Sequence, residues 1–208
     1  MKFFRPWYFL KYLYPGSIFR VKTKEKVLYL TFDDGPNPGS TDKLISILSK
    51  HNIKALFFCS GKAAEKNPRL MEKIRNNGHI TGNHGYNHFD GLKTSITDYL
   101  NDVSQSAEFT SEEIFRPPYG HMKQGQFREI RRQYSVIFWD LMPYDFNTSF
   151  GPQNTLRVLK SKIRPGSIIV LHDTLTSSAN SILDDFIKFS VKAGYRFELL
   201  NPLKKQRM

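Results

Sequence analysis

The chain of 208 residues contains a single cysteine, Cys59. That excludes an intramolecular disulfide framework and any zinc cluster built on cysteines. No run of about 18 apolar residues occurs, so the sequence encodes no conventional membrane-spanning helix. There is no internal repeat, no low-complexity tract and no long linker. A secretory leader needs a continuous apolar stretch of about 7–15 residues and a small-residue cleavage site. The longest apolar run near the start is residues 7–10, broken by Lys11, and no Ala-x-Ala follows. The expectation is therefore no cleavable signal peptide and a location in the cytoplasm or peripheral to the membrane.

Acidic residues are few, with Lys+Arg 31 against Asp+Glu 19 for a net charge of +12. The imbalance is not spread evenly. Residues 1–26 carry seven basic side chains and one acid, and the end of the chain adds Lys204, Lys205 and Arg207. Residues 27–200 carry 21 basic and 18 acidic groups. A nucleic-acid groove would put the excess in the folded body, so no nucleic-acid partner is expected. The division read from this is a basic and aromatic arm over 1–25, one domain over 26–201 and a basic tail over 202–208. Trp7, Tyr8, Tyr12 and Tyr14 interleaved with Lys2, Arg5 and Lys11 would suit peripheral contact of residues 1–20 with an anionic membrane surface. An arm packing those rings under the domain is the favoured alternative. Aromatics make up 14% of the chain, which gives a domain of this length enough to bury. A monomer is expected.

The body alternates between two textures. Short β-branched and aromatic runs fall at 27–32, 55–59, 79–81, 114–115, 135–139, 167–171 and 196–200. Amphipathic stretches at 41–51, 67–77, 95–109, 124–133, 155–163 and 181–193 separate them. This order predicts an α/β protein with a parallel sheet of seven strands. An open doubly wound sheet and a closed or nearly closed barrel both fit the periodicity.

Polar clusters follow five of the strand signals, each at the carboxyl end. They are Asp33-Asp34-Gly35-Pro36, Asn83-His84-Gly85-Tyr86-Asn87-His88, Arg116-Pro117-Pro118-Tyr119-Gly120, Asp140 with Asp145, and His172-Asp173. In α/β barrels that end carries the active site, so five clusters would meet at one mouth. Each has an ordinary structural reading as well. Asp33 and Asp34 could cap a turn or a helix, but adjacent residues at a strand end point in opposite directions and can serve a metal and a water separately. His84 and His88 could be two surface histidines. At i, i+4 in a glycine-rich loop they can also reach one ion, and Asp34 completes a two-histidine, one-carboxylate set suited to Zn²⁺. Arg116, stiffened by two prolines, could be a surface ion pair or could hold a carboxylate bidentately. His172 could be a core histidine; with Asp145 near it could be held as imidazolium and donate a proton. His51, His79 and His121 read as surface or structural, with His121 close enough to the Arg116 loop to line a groove.

Taken in order, Thr31-Phe32-Asp33-Asp34-Gly35-Pro36, His84-x-x-x-His88, Arg116-Pro117-Pro118-Tyr119, Asp145 and Val170-Leu171-His172 resemble the motifs of polysaccharide deacetylases of the NodB homology type, carbohydrate esterase family 4. The resemblance runs over roughly residues 26–200. It implies a distorted (β/α) barrel of about seven parallel strands and hydrolysis of N-acetyl groups on an N-acetylglucosamine-containing polymer, peptidoglycan- or chitin-like, with release of acetate. It also implies a divalent metal, Zn²⁺ foremost with Co²⁺, Ni²⁺ or Mn²⁺ as substitutes, held by Asp34, His84 and His88. In the same resemblance Asp33 is the general base, Arg116 orients it, and the Tyr119 backbone N–H stabilises the oxyanion. His172 is the general acid and Asp145 its partner. Three departures stand out. Gly85 occupies a place usually held by Ser or Thr, which would cost the loop a side-chain hydrogen bond. Met142 and Phe146 replace an Asp and a Trp, with Asp140 a candidate substitute for the lost charge. Val170 replaces a Leu that shapes the acetyl pocket. Tyr119, Met142, Phe146 and Val170 are thus the expected substrate contacts. The competing readings are a related C–N hydrolase of small cyclic amides or ureides, and a non-catalytic carbohydrate-binding relative.

Overall fold

The computed structural model describes residues 4–7 and 9–202. Lys2, Tyr8 and the tail beyond Pro202 lie outside the described residues. Seven strands pair throughout in parallel: β1 (Val27–Asp33), β2 (Leu56–Cys59), β3 (Ile80–Asn83), β4 (Ile114–Phe115), β5 (Ser135–Val136), β6 (Ser167–His172) and β7 (Arg196–Phe197). The helices are α1 (Leu10–Leu13), α2 (Thr41–Lys50), α3 (Gly61–Lys66), α4 (Pro68–Asn76), α5 (Ile96–Ala107), α6 (Gln124–Ile130), α7 (Gly151–Lys162) and α8 (Ala179–Lys192). The six amphipathic stretches read from the sequence are α2 and α4 to α8. α3 escaped that reading because Gly-Lys-Ala-Ala-Glu-Lys has no large apolar residue to mark a face. α7 starts four residues early, at Gly151-Pro152, where proline's missing N–H and fixed φ suit a first turn.

The sheet runs β5-β4-β3-β2-β1-β6, with β7 against the first two residues of β1. It curls into a barrel because the chain after β5 changes partner. Ile137 N–H still donates to Phe115 O on the β4 side at 2.9 Å. Three residues on, Asp140 N–H donates to Ile168 O at 2.9 Å, and Val170 N–H donates back to Leu141 O at 3.0 Å. Residues 137–141 therefore close the ring onto β6.

β1 is buried along its whole length, as expected of a central parallel strand covered on both faces. Val27 and Tyr29 point inward with Leu56, Phe58, Ile114, Ile137 and Ile168. Leu28, Leu30 and Phe32 point outward and pack with Leu44, Leu48, Leu183, Phe186 and Ile187 of α2 and α8. Each such Leu or Phe contributes about 1.5–3 kcal/mol on burial.

Part of the amino-terminal segment belongs to this wall. Ile18 N–H donates to Val136 O at 3.0 Å, Phe138 N–H donates to Ile18 O at 2.9 Å, and Val21 N–H donates to Gly166 O at 3.0 Å. A Cβ on Gly166, whose φ is +76°, would lie 1.9 Å from Val21 O, so only glycine fits that approach. Phe19 stacks on Phe138 with centroids 4.5 Å apart, and buried Tyr14 donates its hydroxyl to Met122 O at 2.6 Å. Trp7, Phe9, Tyr12 and Leu13 are exposed. No helix among the described residues is long and apolar enough to cross a membrane.

Candidate active site and metal centre

The parallel register delivers the polar residues to one end of the barrel. Asp33 is paired with His172, the last residues of β1 and β6. His84 N–H donates to Cys59 O and Arg116 N–H to Asn83 O, each at 3.0 Å, so β3 and β4 end at the same level. Strand alternation then turns Asp33, Arg116 and His172 inward, above the apolar layers of the barrel.

Arg116 is fully buried, and its guanidinium is fixed from four sides. Nη1 donates to Asp33 Oδ1 and Thr31 Oγ1 at 2.7 Å each, Nε to Ile137 O at 3.2 Å and Nη2 to Phe138 O at 2.9 Å. Its carbon centre lies 4.0 Å over the Phe58 ring. Asp33 is also buried, with Oδ1 held by this cation and Oδ2 3.8 Å from His84 Nε2.

Asp34 follows with φ 75°, a left-handed backbone that turns its carboxylate away from Arg116 and towards the two histidines. Its Oδ1 lies 3.1 Å from His88 Nε2 and 3.7 Å from His84 Nε2. One ligand atom from each of the three residues falls within 4.8 Å of the others. Ligands at about 2.0–2.1 Å around a tetrahedral ion lie roughly 3.4 Å apart, so this spacing fits such an ion. The His84 Nδ1 meets Arg116 O at 2.8 Å, which sets that nitrogen as the donor and leaves Nε2 as a lone-pair ligand. Burial lowers His84 to about 4, so the imidazole is neutral, the form that binds metal. Burial pushes the Asp34 carboxyl up. The hydrogen bond from His88 and the positive charge of nearby His172 outweigh it and hold the group well below the usual carboxylate range.

Gly85 proves to be the residue this loop demands. Its φ is +71°, and a Cβ would sit 2.7 Å from Asp102 Oδ2. The buried Asp102 carboxylate, reaching in from α5, accepts from Tyr86 N–H at 2.8 Å and from Asn87 N–H and Nδ2 at 2.9 Å each. A carboxylate from α5 thus holds the loop and makes up for the side-chain hydrogen bond expected to be lost at Gly85. Asp102 itself was not legible in the sequence, because an acid on a helix has no local mark of its tertiary partner.

His172 meets Asp145 twice: Nδ1 lies 2.9 Å from Oδ1, and its backbone N–H donates to Oδ2 at 2.6 Å. Ser177 Oγ also donates to Oδ2 at 2.6 Å. Burial works to lower the His172 pKa, but the charge and hydrogen bond of Asp145, helped by Asp34 and Asp33, raise it to about 9. The imidazole is therefore held as a cation at neutral pH.

Asp33, Asp34, His84, His88 and His172 line a cavity of about 490 Å³ whose wall includes Tyr119, His121, Trp139, Met142 and Phe146. The Phe146 ring stands edge-on to His172 with centroids 4.8 Å apart, and Tyr119 meets His88 at 4.6 Å. Val170 is fully buried and lies on the same strand face as His172, two residues below it; it is beneath the cavity, not on its wall. Asp140 does not take over for the charge missing at Met142. It is bound by Arg164, Ser167 and Arg5, on the other side of the segment from Arg116. Of the remaining histidines, His79 accepts from Ala55 N–H at 3.1 Å and His51 pairs with Asp184, while His121 pairs with Asp90 at the cavity rim. Of five non-glycine residues with positive φ among the described residues, four (Asp34, His88, Tyr119 and Tyr144) flank this site. Each costs about 1–3 kcal/mol, strain that concentrates where function fixes the backbone.

A carboxylate on a buried arginine, a separate His₂Asp cluster and an imidazolium opposite define a metal-dependent hydrolase of poorly reactive acyl compounds. The sequence profile of the polysaccharide deacetylases matches residues 20–136. The chain belongs to this family, the metal-dependent carbohydrate esterases of family 4. It is 32% identical over 195 residues to peptidoglycan-N-acetylmuramic acid deacetylase PdaA of Bacillus subtilis, covering 87% of this chain and 72% of that one. Its fold matches the Bc1960 peptidoglycan N-acetylglucosamine deacetylase, bound to a naphthyl benzamide, with TM-score 0.85, 28% identity and 94% of each chain covered. It also matches BA3943 of Bacillus anthracis, a pseudoenzyme of the family, with TM-score 0.80 and 25% identity over 89% of this chain and 68% of that one.

Proposed function

We propose that the protein removes N-acetyl groups from an N-acetylglucosamine-containing glycan of the peptidoglycan type, releasing acetate, with Zn²⁺ held by Asp34, His84 and His88. The observation that carries this reading is the division of labour between neighbouring carboxylates: Asp33 is bound to Arg116, while Asp34 faces two histidines. When bound, the ion lowers the pKa of water towards neutrality and polarises the acyl oxygen. Asp33 takes the proton of the attacking water, with Arg116 keeping the carboxylate ionised and aimed. The Tyr119 N–H stabilises the oxyanion, a contribution of about 3 kcal/mol. As the C–N bond breaks, His172 gives its proton to the departing amine and Asp145 steadies the imidazolium. Met142, Phe146 and Trp139 supply the apolar surface for the sugar and its acetyl group.

The test is acetate release from N-acetylglucosamine oligomers and peptidoglycan glycan strands, with chelator and with Zn²⁺ or Co²⁺ added back. Chelation is expected to abolish release and add-back to restore it, with one ion per chain. His88→Ala should lose both the ion and the activity. Release that survives complete chelation contradicts the reading.

A second expected result concerns pH. Because His172 acts as the acid and its pKa is raised to about 9, kcat/KM should stay high through neutrality and fall only above about pH 9. The stability this group contributes is complete below its ordinary value of 6.5 and is lost as pH rises through 9. Asp145→Asn removes the largest raising contribution and should draw the falling limb down by one or more pH units, as read from a kcat/KM profile.

A further inference from the structure

A second cavity, of about 330 Å³, adjoins the catalytic pocket at Trp139, a residue that borders both. Five cationic side chains border it (Arg5, Lys11, Arg20, Lys22 and Arg164) against one carboxylate, Asp140. That carboxylate is already engaged: Arg164 Nε lies 3.1 Å from both its oxygens, and Ser167 Oγ donates to it at 2.7 Å. Arg5 Nη2 and Arg20 Nη1 donate to the backbone carbonyls of Lys162 and Pro165, whose dipoles offset part of the excess. Arg5 Nε is buried without a hydrogen-bond partner, 3.5 Å from Asp140 Oδ1. Lys22 is exposed and pairs with no carboxylate among the described residues. Residues 27–200 are close to charge balance, so this concentration of cations is local and comes from the amino-terminal segment folding back beside Arg164. Gathering like charges around a small concavity costs repulsion that an anion removes. Trp7, Phe19 and Trp139 give the cavity aromatic faces as well.

We propose that this cavity is a second substrate subsite, which takes a carboxylate or phosphate carried by the same glycan chain whose acetylated sugar occupies the catalytic pocket. The inference rests on the deacetylase reading above. A polymer leaving the catalytic pocket over Trp139 enters the basic cavity directly, and the cations then select chains with acidic substituents over neutral ones. The nearby exposed rings of Trp7, Phe9 and Tyr12 would suit a lipid surface instead. The concave shape and the wall shared with the catalytic pocket favour the glycan.

The experiment compares holoenzyme kinetics on three glycans of equal length: one bearing carboxylates, its carboxamide counterpart and one bearing phosphates. Wild-type protein should prefer the carboxylate or the phosphate form over the carboxamide by about tenfold in kcat/KM, expressed in KM, as one charge-assisted contact would give. Whichever anion shows the preference identifies the group. In Lys11→Gln/Lys22→Gln the preference should fall to near unity, and in Lys22→Glu it should invert. Salt near 1 M, where the screening length is about 3 Å, should erase it in the wild type. Damage to the fold would lower all three activities together, and equal loss on all three overturns the proposal, as does a preference that survives both variants. Sedimentation with phosphatidylserine vesicles that the variants abolish, alongside no glycan preference, would assign the surface to a membrane and overturn it too. If no glycan releases acetate, the deacetylase reading fails separately. Calorimetry of Asp33→Asn with the carboxylate glycan then tests the subsite alone: salt-sensitive binding weakened by Lys22→Glu upholds it, and no binding ends it.

Discussion

Asp33→Asn is expected to lower acetate release by about a thousandfold, within the range that a positioned general base contributes. The asparagine keeps the shape of the side chain and an oxygen that can accept from Arg116 Nη1, now 2.7 Å from Oδ1. It cannot take a proton from water at neutral pH. The ligand cluster is a different set of atoms, Asp34, His84 and His88. The variant should therefore bind one ion per chain as the wild type does, and KM should change little while kcat collapses. Metal analysis and steady-state kinetics on one preparation check both halves. Loss of the ion together with the activity would mean that Asp33 is a ligand, and undiminished kcat would mean that another group is the base.

Arg116→Met should be the most destabilising single change at this end of the barrel. The methionine fills part of the volume but leaves the buried Asp33 carboxylate without its cation. It also removes the donors to Thr31 Oγ1, Ile137 O and Phe138 O. Removing one partner of a buried pair costs about 3–5 kcal/mol, because the remaining charge stays desolvated. At roughly 3 °C per kcal/mol for a domain of this size, Tm should drop by about 9–15 °C. Denaturant melts of the single variants and of Asp33→Asn/Arg116→Met complete a double-mutant cycle. The double variant should be more stable than Arg116→Met alone, since a neutral side chain then occupies the desolvated position. If the two losses simply add, the pair is not coupled in the way its geometry implies.

The alternation of textures was enough to read seven strands and six of the helices, because buried parallel strands and amphipathic helices differ in period. The clusters at strand ends were legible for a similar reason: Asp33, Asp34, His84, His88, Arg116, Asp145 and His172 lie at, or within a few residues past, the carboxyl ends of the strand signals. Val170 looked like a pocket residue by its place in a motif, yet strand alternation puts it a layer beneath the cavity. Asp140 seemed placed to replace the charge missing at Met142, but the turn of residues 137–141 onto β6 delivers it to Arg164.

The sequence by itself determined the α/β class, the membership of the chemical cast and the order of its motifs, since these rest on local period and residue type. The motif resemblance had already given Asp33 to Arg116 and Asp34 to the histidines; the tertiary structure supplied the means, a left-handed backbone at Asp34 that sends adjacent side chains to different partners. The tertiary structure alone brought Asp102 to the His84–His88 loop and gathered Arg5, Lys11, Arg20 and Lys22 around one cavity with Arg164. Those contacts join residues far apart in the chain, and no local propensity records them.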